Sequence, residues 1–123
     1  HMSLDAEGKR LALACLGNDT VEVIDLEAGR VAGTISRLRE PQGVLVLPAT
    51  GRIAVTNGED GTVRFHDGKT LEVVRTVELE SDADNARFDV KNEIVRMVFY
   101  KRAGKTDIDT RAFAEKVEDE DKE

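Results

Sequence analysis

The chain has 123 residues, a formal net charge of −7, 40% hydrophobic residues, 4% aromatics and no Trp. That length bounds it to one domain or a piece of a larger one, and its acidic balance is not the basic footprint of a nucleic-acid binder. Its single cysteine, Cys15, excludes an intrachain disulfide and a thiolate zinc knuckle, and its apolar runs fall far short of the roughly 18 residues a membrane helix needs.

In chain order, residues 1–7 read as a tag remnant and lead-in, with Glu7-Gly8-Lys9 a turn that enters a strand. Leu11 to Leu16 is apolar at every alternate position on both faces, the pattern of a strand covered on both sides. Cys15 within it reads as a small buried hydrophobe. Gly17-Asn18-Asp19 is turn chemistry, since Gly and Asn accept positive φ at low cost. Thr20 to Ile24 is the next strand, Asp25 to Gly29 turns the chain, and Val31 to Ile35 makes a third strand. A polar crossing, residues 36–40, ends in Pro41-Gln42-Gly43, after which Val44 to Leu47 is again apolar on both faces.

From there the pattern restarts. A shift of 42 positions pairs Arg10 with Arg52, Ala12 with Ala54, Thr20 with Thr62, Val21 with Val63, Asp25 with Asp67, Val31 with Val73 and Thr34 with Thr76, with no gap. The repeats are assigned to residues 8–50 and 51–92, with a partial third from 93 and a divergent segment over 101–123. Ala86 to Val90 and Ile94 to Tyr100 continue the third copy. Gly104 to Asp109 is a degraded form of the turn-strand motif, read as a polar hairpin turn. Asp109 or Thr110 is then placed to cap a short helix carrying Ala112, Phe113, Ala114 and Val117 on one side. The last nine residues hold six acids and two bases, so −4 of the net charge belongs to a solvated acidic tail.

A period of about forty residues carrying four short strands is that of a β-propeller blade. The chain resembles the YVTN-type β-propeller repeat family over roughly residues 8–100. The resemblance is carried by Pro41-Gln42-Gly43-Val44, Gly51 to Asn57, Gly61-Thr62-Val63-Arg64-Phe65-His66-Asp67 and Val73 to Val77, and earlier by Gly8 to Leu11, Asn18 to Asp25 and Val31 to Ile35. It implies an all-β fold of four-stranded antiparallel blades in an incomplete ring, and would suit an extracytoplasmic compartment. It also implies that the first blade lacks its inner strand, and that open blade faces drive association between copies.

Motifs for chemistry fail on spacing. Gly104-Lys105-Thr106 would need a Gly at position 99 to cradle phosphate, and Phe99 stands there. An EF-hand loop starting at Asp82 would need an oxygen ligand and a Gly where Ala86 and Arg87 stand. Its acids read instead as a polar connection between blades. His66, the one internal histidine, has no second His or Cys at ligand spacing and no nucleophile marked out by its context. Neither a catalytic residue, a metal ligand nor a cofactor is therefore assigned.

The blade layout places one candidate binding face. The connections between blades and the turns between second and third strands share an end, which gathers Arg37, Arg39, Glu40, Gln42, Asn57, Glu59, Asp82, Asp84 and Asn85. Their mixed charge suits a protein partner better than nucleic acid or a membrane surface. The functional expectation is a non-catalytic, self-associating module for protein interaction or scaffolding. The alternatives are a piece of a larger propeller enzyme with its catalytic residues elsewhere, and an artificial or recombined chain.

Overall fold

The structure is a computed structural model in which residues 1–78, 82–89, 91, 94–100 and 108–112 are described. The described residues are almost wholly β. Strands β1 (Met2–Leu4), β2 (Arg10–Cys15), β3 (Thr20–Asp25) and β4 (Arg30–Ile35) form one antiparallel sheet in that order. Strands β5 (Pro41–Val46), β6 (Ile53–Asn57), β7 (Thr62–His66) and β8 (Val73–Glu78) form a second, and β9 (Asp82–Asp89), β10 (Ile94–Tyr100) and β11 (Ile108–Ala112) a third of three strands. The sheets do not close into a ring.

The turns repeat as faithfully as the strands. The Asp25 carboxylate accepts the N–H groups of Glu27 and Ala28 at 2.9 Å, and Asp67 accepts those of Lys69 and Thr70 at 2.8 Å. Both aspartates therefore build turns, as their repeated position implies. Each turn closes on a left-handed residue 42 positions from its counterpart, Gly29 (φ 66°) and Leu71 (φ 64°). The pair Asp19 (φ 56°) and Gly61 (φ 66°) repeats the same economy at the other end.

Two apolar layers hold the stack. Ala12, Val21, Val23 and Ile35 of the first sheet meet Val44, Val46, Ile53 and Val55 of the second, with Leu38 buried among them. Ala54, Val63 and Phe65, on the opposite face of the second sheet, meet Ala86 of β9. Because side chains alternate across a strand, the middle sheet is covered twice and β6 is buried at all five positions. Phe65, 2% exposed, carries the Arg75 guanidinium 5.8 Å from its ring centroid.

Four expectations change. The first sheet does not lack its inner strand: Met2–Leu4 pairs with Leu11–Leu13, and Ser3 Oγ accepts the Val46 N–H at 2.9 Å. Three residues are too few to display an alternation, but they suffice for backbone pairing. Second, among the described residues β2 has a sheet packed on one face only, and Cys15 is half-buried rather than buried. Third, Asp82, Asp84 and Asn85 lie within strand β9 instead of a connection. Fourth, no helix starts at Asp109 or Thr110: Ile108–Ala112 pairs antiparallel with β10, because the unpaired edge of β10 satisfies that backbone. Gly104-Lys105-Thr106, Phe113, Ala114, Val117 and the acidic tail lie outside the described residues.

Candidate interaction surfaces

The connection between the first two sheets, residues 36–40, is held from both sides. Leu38 is 3% exposed and anchors it in the core, while the Leu38 N–H donates to Asp19 O at 3.2 Å. Arg37 (φ 59°) and Glu40 (φ 55°) flank it in left-handed conformations, each costing on the order of 1 kcal/mol. Burial of Leu38 and the bond from Glu40 N–H to Asp19 Oδ1 (2.9 Å) offset that strain. Arg37, Arg39 and Glu40 are thus exposed on a firmly placed loop.

The neighbouring turn meets this loop. Arg39 Nη1 lies 3.4 Å from Glu59 Oε1, and the Glu59 N–H donates to Arg39 O at 3.2 Å. Arg64 bridges back, with Nη2 2.8 Å from Asp60 Oδ2 and Nη1 3.3 Å from Arg37 O. The ion pair between Arg39 and Glu59 is exposed and adds little stability; its effect is to set where the charges stand. Of the residues the sequence gathered here, Asn57 has a different role. It is fully buried, its Oδ1 accepts the Arg39 N–H at 3.3 Å, and its Nδ2 donates to Thr62 Oγ1 at 3.3 Å. Asn57 therefore supports the loop from beneath and is not presented to a partner. Gln42 is half-buried in β5.

His66 sits in the layer between the first two sheets, 2% exposed. Its Nδ1 is 2.9 Å from Leu71 O; a carbonyl only accepts, so Nδ1 carries the hydrogen and the ring is held in that tautomer. The Nε2 atom is buried and has no hydrogen-bond partner among the described residues. Burial pushes its pKa below the usual histidine value, and the nearby Arg64 charge adds to this, against the opposing effect of the Leu71 bond. Such a neutral, enclosed ring is a packing element of the layer. Among the described residues, no three His, Cys, Asp or Glu side chains are grouped to hold a metal ion.

One feature escaped sequence reasoning, and a second was expected only in general terms, as open blade faces. One is an open cleft of about 510 Å³ at the opposite end of the stack, between the β1–β2, β5–β6 and β7–β8 turns, lined by Asp5, Glu7, Arg10, Asp67 and Lys69 among others. Its polar groups are largely engaged in holding turns: Asp5 Oδ1 accepts the Lys9 and Arg10 N–H groups, and Arg10 Nη1 donates to Gly68 O at 2.7 Å across the sheets. The other is the outer face of the first sheet. Leu11 and Leu13 lie there half-buried beside Met2 (65% exposed) and Leu4 (55% exposed), with Ile24 and Glu22 on β3. The Glu22 carboxylate is steadied by the hydroxyls of Thr20 (3.1 Å) and Thr34 (2.6 Å). The 42-residue shift could have revealed this face. It maps Met2, Leu4, Leu11 and Leu13 onto Val44, Val46, Ile53 and Val55, which are buried against the preceding sheet.

No protein-family model matches the sequence, and no curated protein matches it either. Solved structures do match in fold. Hydrazine synthase of Kuenenia stuttgartiensis superposes with a TM-score of 0.79 at 15% identity, over 92% of this chain and 32% of that one. The β-propeller domain of Cps50 (Swd1) from Myceliophteria thermophila gives 0.69 at 12% identity over 90% and 38%. A chain of a mitotic checkpoint complex gives 0.73 at 15% identity over 89% and 37%. The chain thus spans about a third of the length of each of these proteins. At such identities the likeness concerns fold alone, and the fold is that of β-propeller blades in an open array.

Proposed function

We propose that this chain is a non-catalytic propeller-type module, of the YVTN kind that its repeats resemble, acting through protein contacts and associating with copies of itself through its open sheet faces. The observation that carries this reading is the outer face of the first sheet. Met2, Leu4, Leu11 and Leu13 form an apolar face with no sheet upon it among the described residues, while their equivalents in the second sheet are buried. Uncovered sheet faces of this kind favour association. A second protein partner has the loop end available, where Arg37, Arg39, Glu40 and Glu59 stand on a braced connection with Gln42 beside them; Asp82 begins the next strand, followed by Asp84 and Asn85. Of the structures similar in fold, one is a chain of a mitotic checkpoint complex, and its place in a protein assembly supports a protein-binding role.

Light scattering during size exclusion tests the reading: a mass well above the 13.5 kDa of one chain is expected, and a folded monomer at working concentration would count against it. A second reading, a piece of a larger propeller enzyme with catalytic residues elsewhere, draws on the likeness to hydrazine synthase and on coverage of only 32% of that chain. A genomic reading frame that continues through further blades would favour it.

A further inference from the structure

The cleft between the β1–β2, β5–β6 and β7–β8 turns continues inward. A recess of about 60 Å³ runs between the first two sheets, lined by Ala12 and Val23 of one, Val46 and Ile53 of the other, and by Asp5, Arg10 and Gly51. The last three line the cleft as well, so the recess opens into it there. Ala12, Val23, Val46 and Ile53 are buried core residues, which makes the recess apolar apart from its mouth. A polar cleft of about 510 Å³ above a short apolar pocket has the build of a small-molecule site.

Which ligand fits follows from the groups left over once the turns are made. The acids that line the cleft, Asp5, Glu7 and Asp67, are each answered. Asp5 Oδ1 accepts the Lys9 and Arg10 N–H groups, and Glu7 lies 3.6 Å from the Lys9 ammonium. Asp67 accepts the Lys69 and Thr70 N–H groups, with the Arg52 charge nearby. The cations are not answered in the same way. Arg10 commits Nη1 to Gly68 O at 2.7 Å, and the rest of its guanidinium has no partner among the described residues. The Lys69 ammonium, exposed at the rim, has no ion pair among them either. The uncommitted hydrogen-bonding capacity is therefore cationic and donating, and Arg10 holds it where the recess begins.

We propose that this cleft binds a small aliphatic carboxylate, with its carboxylate on Arg10, Lys69 at the rim, and its hydrocarbon tail in the recess between the sheets. The Nε–Nη2 edge of a guanidinium can take both oxygens of one carboxylate, and it is the edge that the bond to Gly68 leaves unused. The recess limits the tail to a few carbons. This chemistry is that of a free short-chain acid, or of a peptide C-terminus ending in a small apolar residue. The site lies apart from the sheet face and the loop end of the proposed protein contacts, and it does not rest on self-association.

Amide-shift titration of the full chain by NMR tests this, with acetate, butyrate, hexanoate and butyramide as probes. Butyrate is expected to bind with a dissociation constant of about 1–10 mM, moving the amides of residues 5–10, 51 and 68–69 that surround the cleft. Acetate should bind about tenfold more weakly for want of buried methylenes, and butyramide, which offers Arg10 no charge, at least about tenfold more weakly. Hexanoate should gain nothing over butyrate, because the recess is already filled. Arg10→Gln should weaken butyrate about tenfold and Lys69→Gln about twofold. Lys69 is exposed, so its variant keeps the test open should Arg10→Gln fail to fold by circular dichroism. N-acetylvaline binding more tightly than butyrate would assign the site to peptide C-termini, and the reverse order to free acids. Equal affinity for butyrate and butyramide, affinity that keeps rising to hexanoate, or shifts spread over residues away from the cleft would overturn the proposal. So would the absence of saturation by about 100 mM butyrate.

Discussion

The Leu71 side chain fills the space that Gly33 leaves: a Cβ built on Gly33 would stand 2.7 Å from Leu71 Cδ1. Leu71 belongs to the turn between β7 and β8, and Gly33 to β4 of the preceding sheet, so the pair locks one sheet to the next. Leu71 does so from a left-handed backbone, φ 64°, where its repeat equivalent is Gly29. The strain is tolerated because the side chain reaches the core layer.

A double-mutant cycle on this pair has a definite sign. Gly33→Ala is expected to destabilise by about 1 kcal/mol, as Leu71 leaves its rotamer. In a Leu71→Ala background the same change is expected to be neutral or stabilising, since the space is then empty and Gly is a poor strand residue. Urea unfolding of the four proteins should give a coupling of about 1 kcal/mol; strict additivity would show that the contact does not matter.

Gly68→Ala should be costlier, about 2 kcal/mol or more. A Cβ there would lie 2.2 Å from Gly51 O, and backbone cannot rotate aside as a leucine can. Gly17→Ala is the control: nothing lies within 4 Å of its Cβ position, and a change within about 0.5 kcal/mol is expected. Comparable losses in both would indicate a general intolerance of alanine rather than this contact.

Leu38→Ala is expected to destabilise by about 2–4 kcal/mol, as a fully buried leucine is removed. Its second consequence concerns the loop end. With the anchor gone, the left-handed Arg37 and Glu40 lose the contact that offsets their strain. Amide exchange should therefore quicken over residues 36–40 more than over β6. Uniform acceleration would mean that Leu38 stabilises the fold without positioning the loop.

His66 makes stability depend on pH. Its folded pKa lies below the ordinary value of 6.5 because burial disfavours the charged ring. The unfolded state therefore binds the proton more tightly. The stabilisation is full above the unfolded pKa and is lost as pH falls from there through the folded pKa. The urea midpoint at pH 5.5 should lie below that at pH 7.5, and His66→Ile, the residue at the equivalent position 24, should abolish most of the difference. An unchanged pH dependence in the variant would remove His66 as its source.

Much of this was present in the residues alone. The 42-residue shift gives the repeat, and Asp25 and Asp67 read correctly as turn-formers because an Asx turn needs only neighbouring N–H groups. Alternation gives which residues share a face: Ala12, Val21 and Val23 on one side, Leu11, Leu13 and Ile24 on the other. Local chemistry, read over a few residues, fixes these.

What tertiary structure decided is which of those faces is covered. Leu11–Leu13 and Ile53–Val55 have nearly the same pattern, yet the second stretch is buried and the first is largely half-exposed, because only the second has sheets on both sides. Asn57 and His66 likewise look like ordinary polar strand residues until the 36–40 connection closes over the first and the layer between sheets over the second. Met2–Leu4 becomes a strand only because the edge of β2 leaves N–H and C=O groups to pair. A period specifies the unit and its two faces. The number of units in contact is set by long-range packing, and no local pattern carries it.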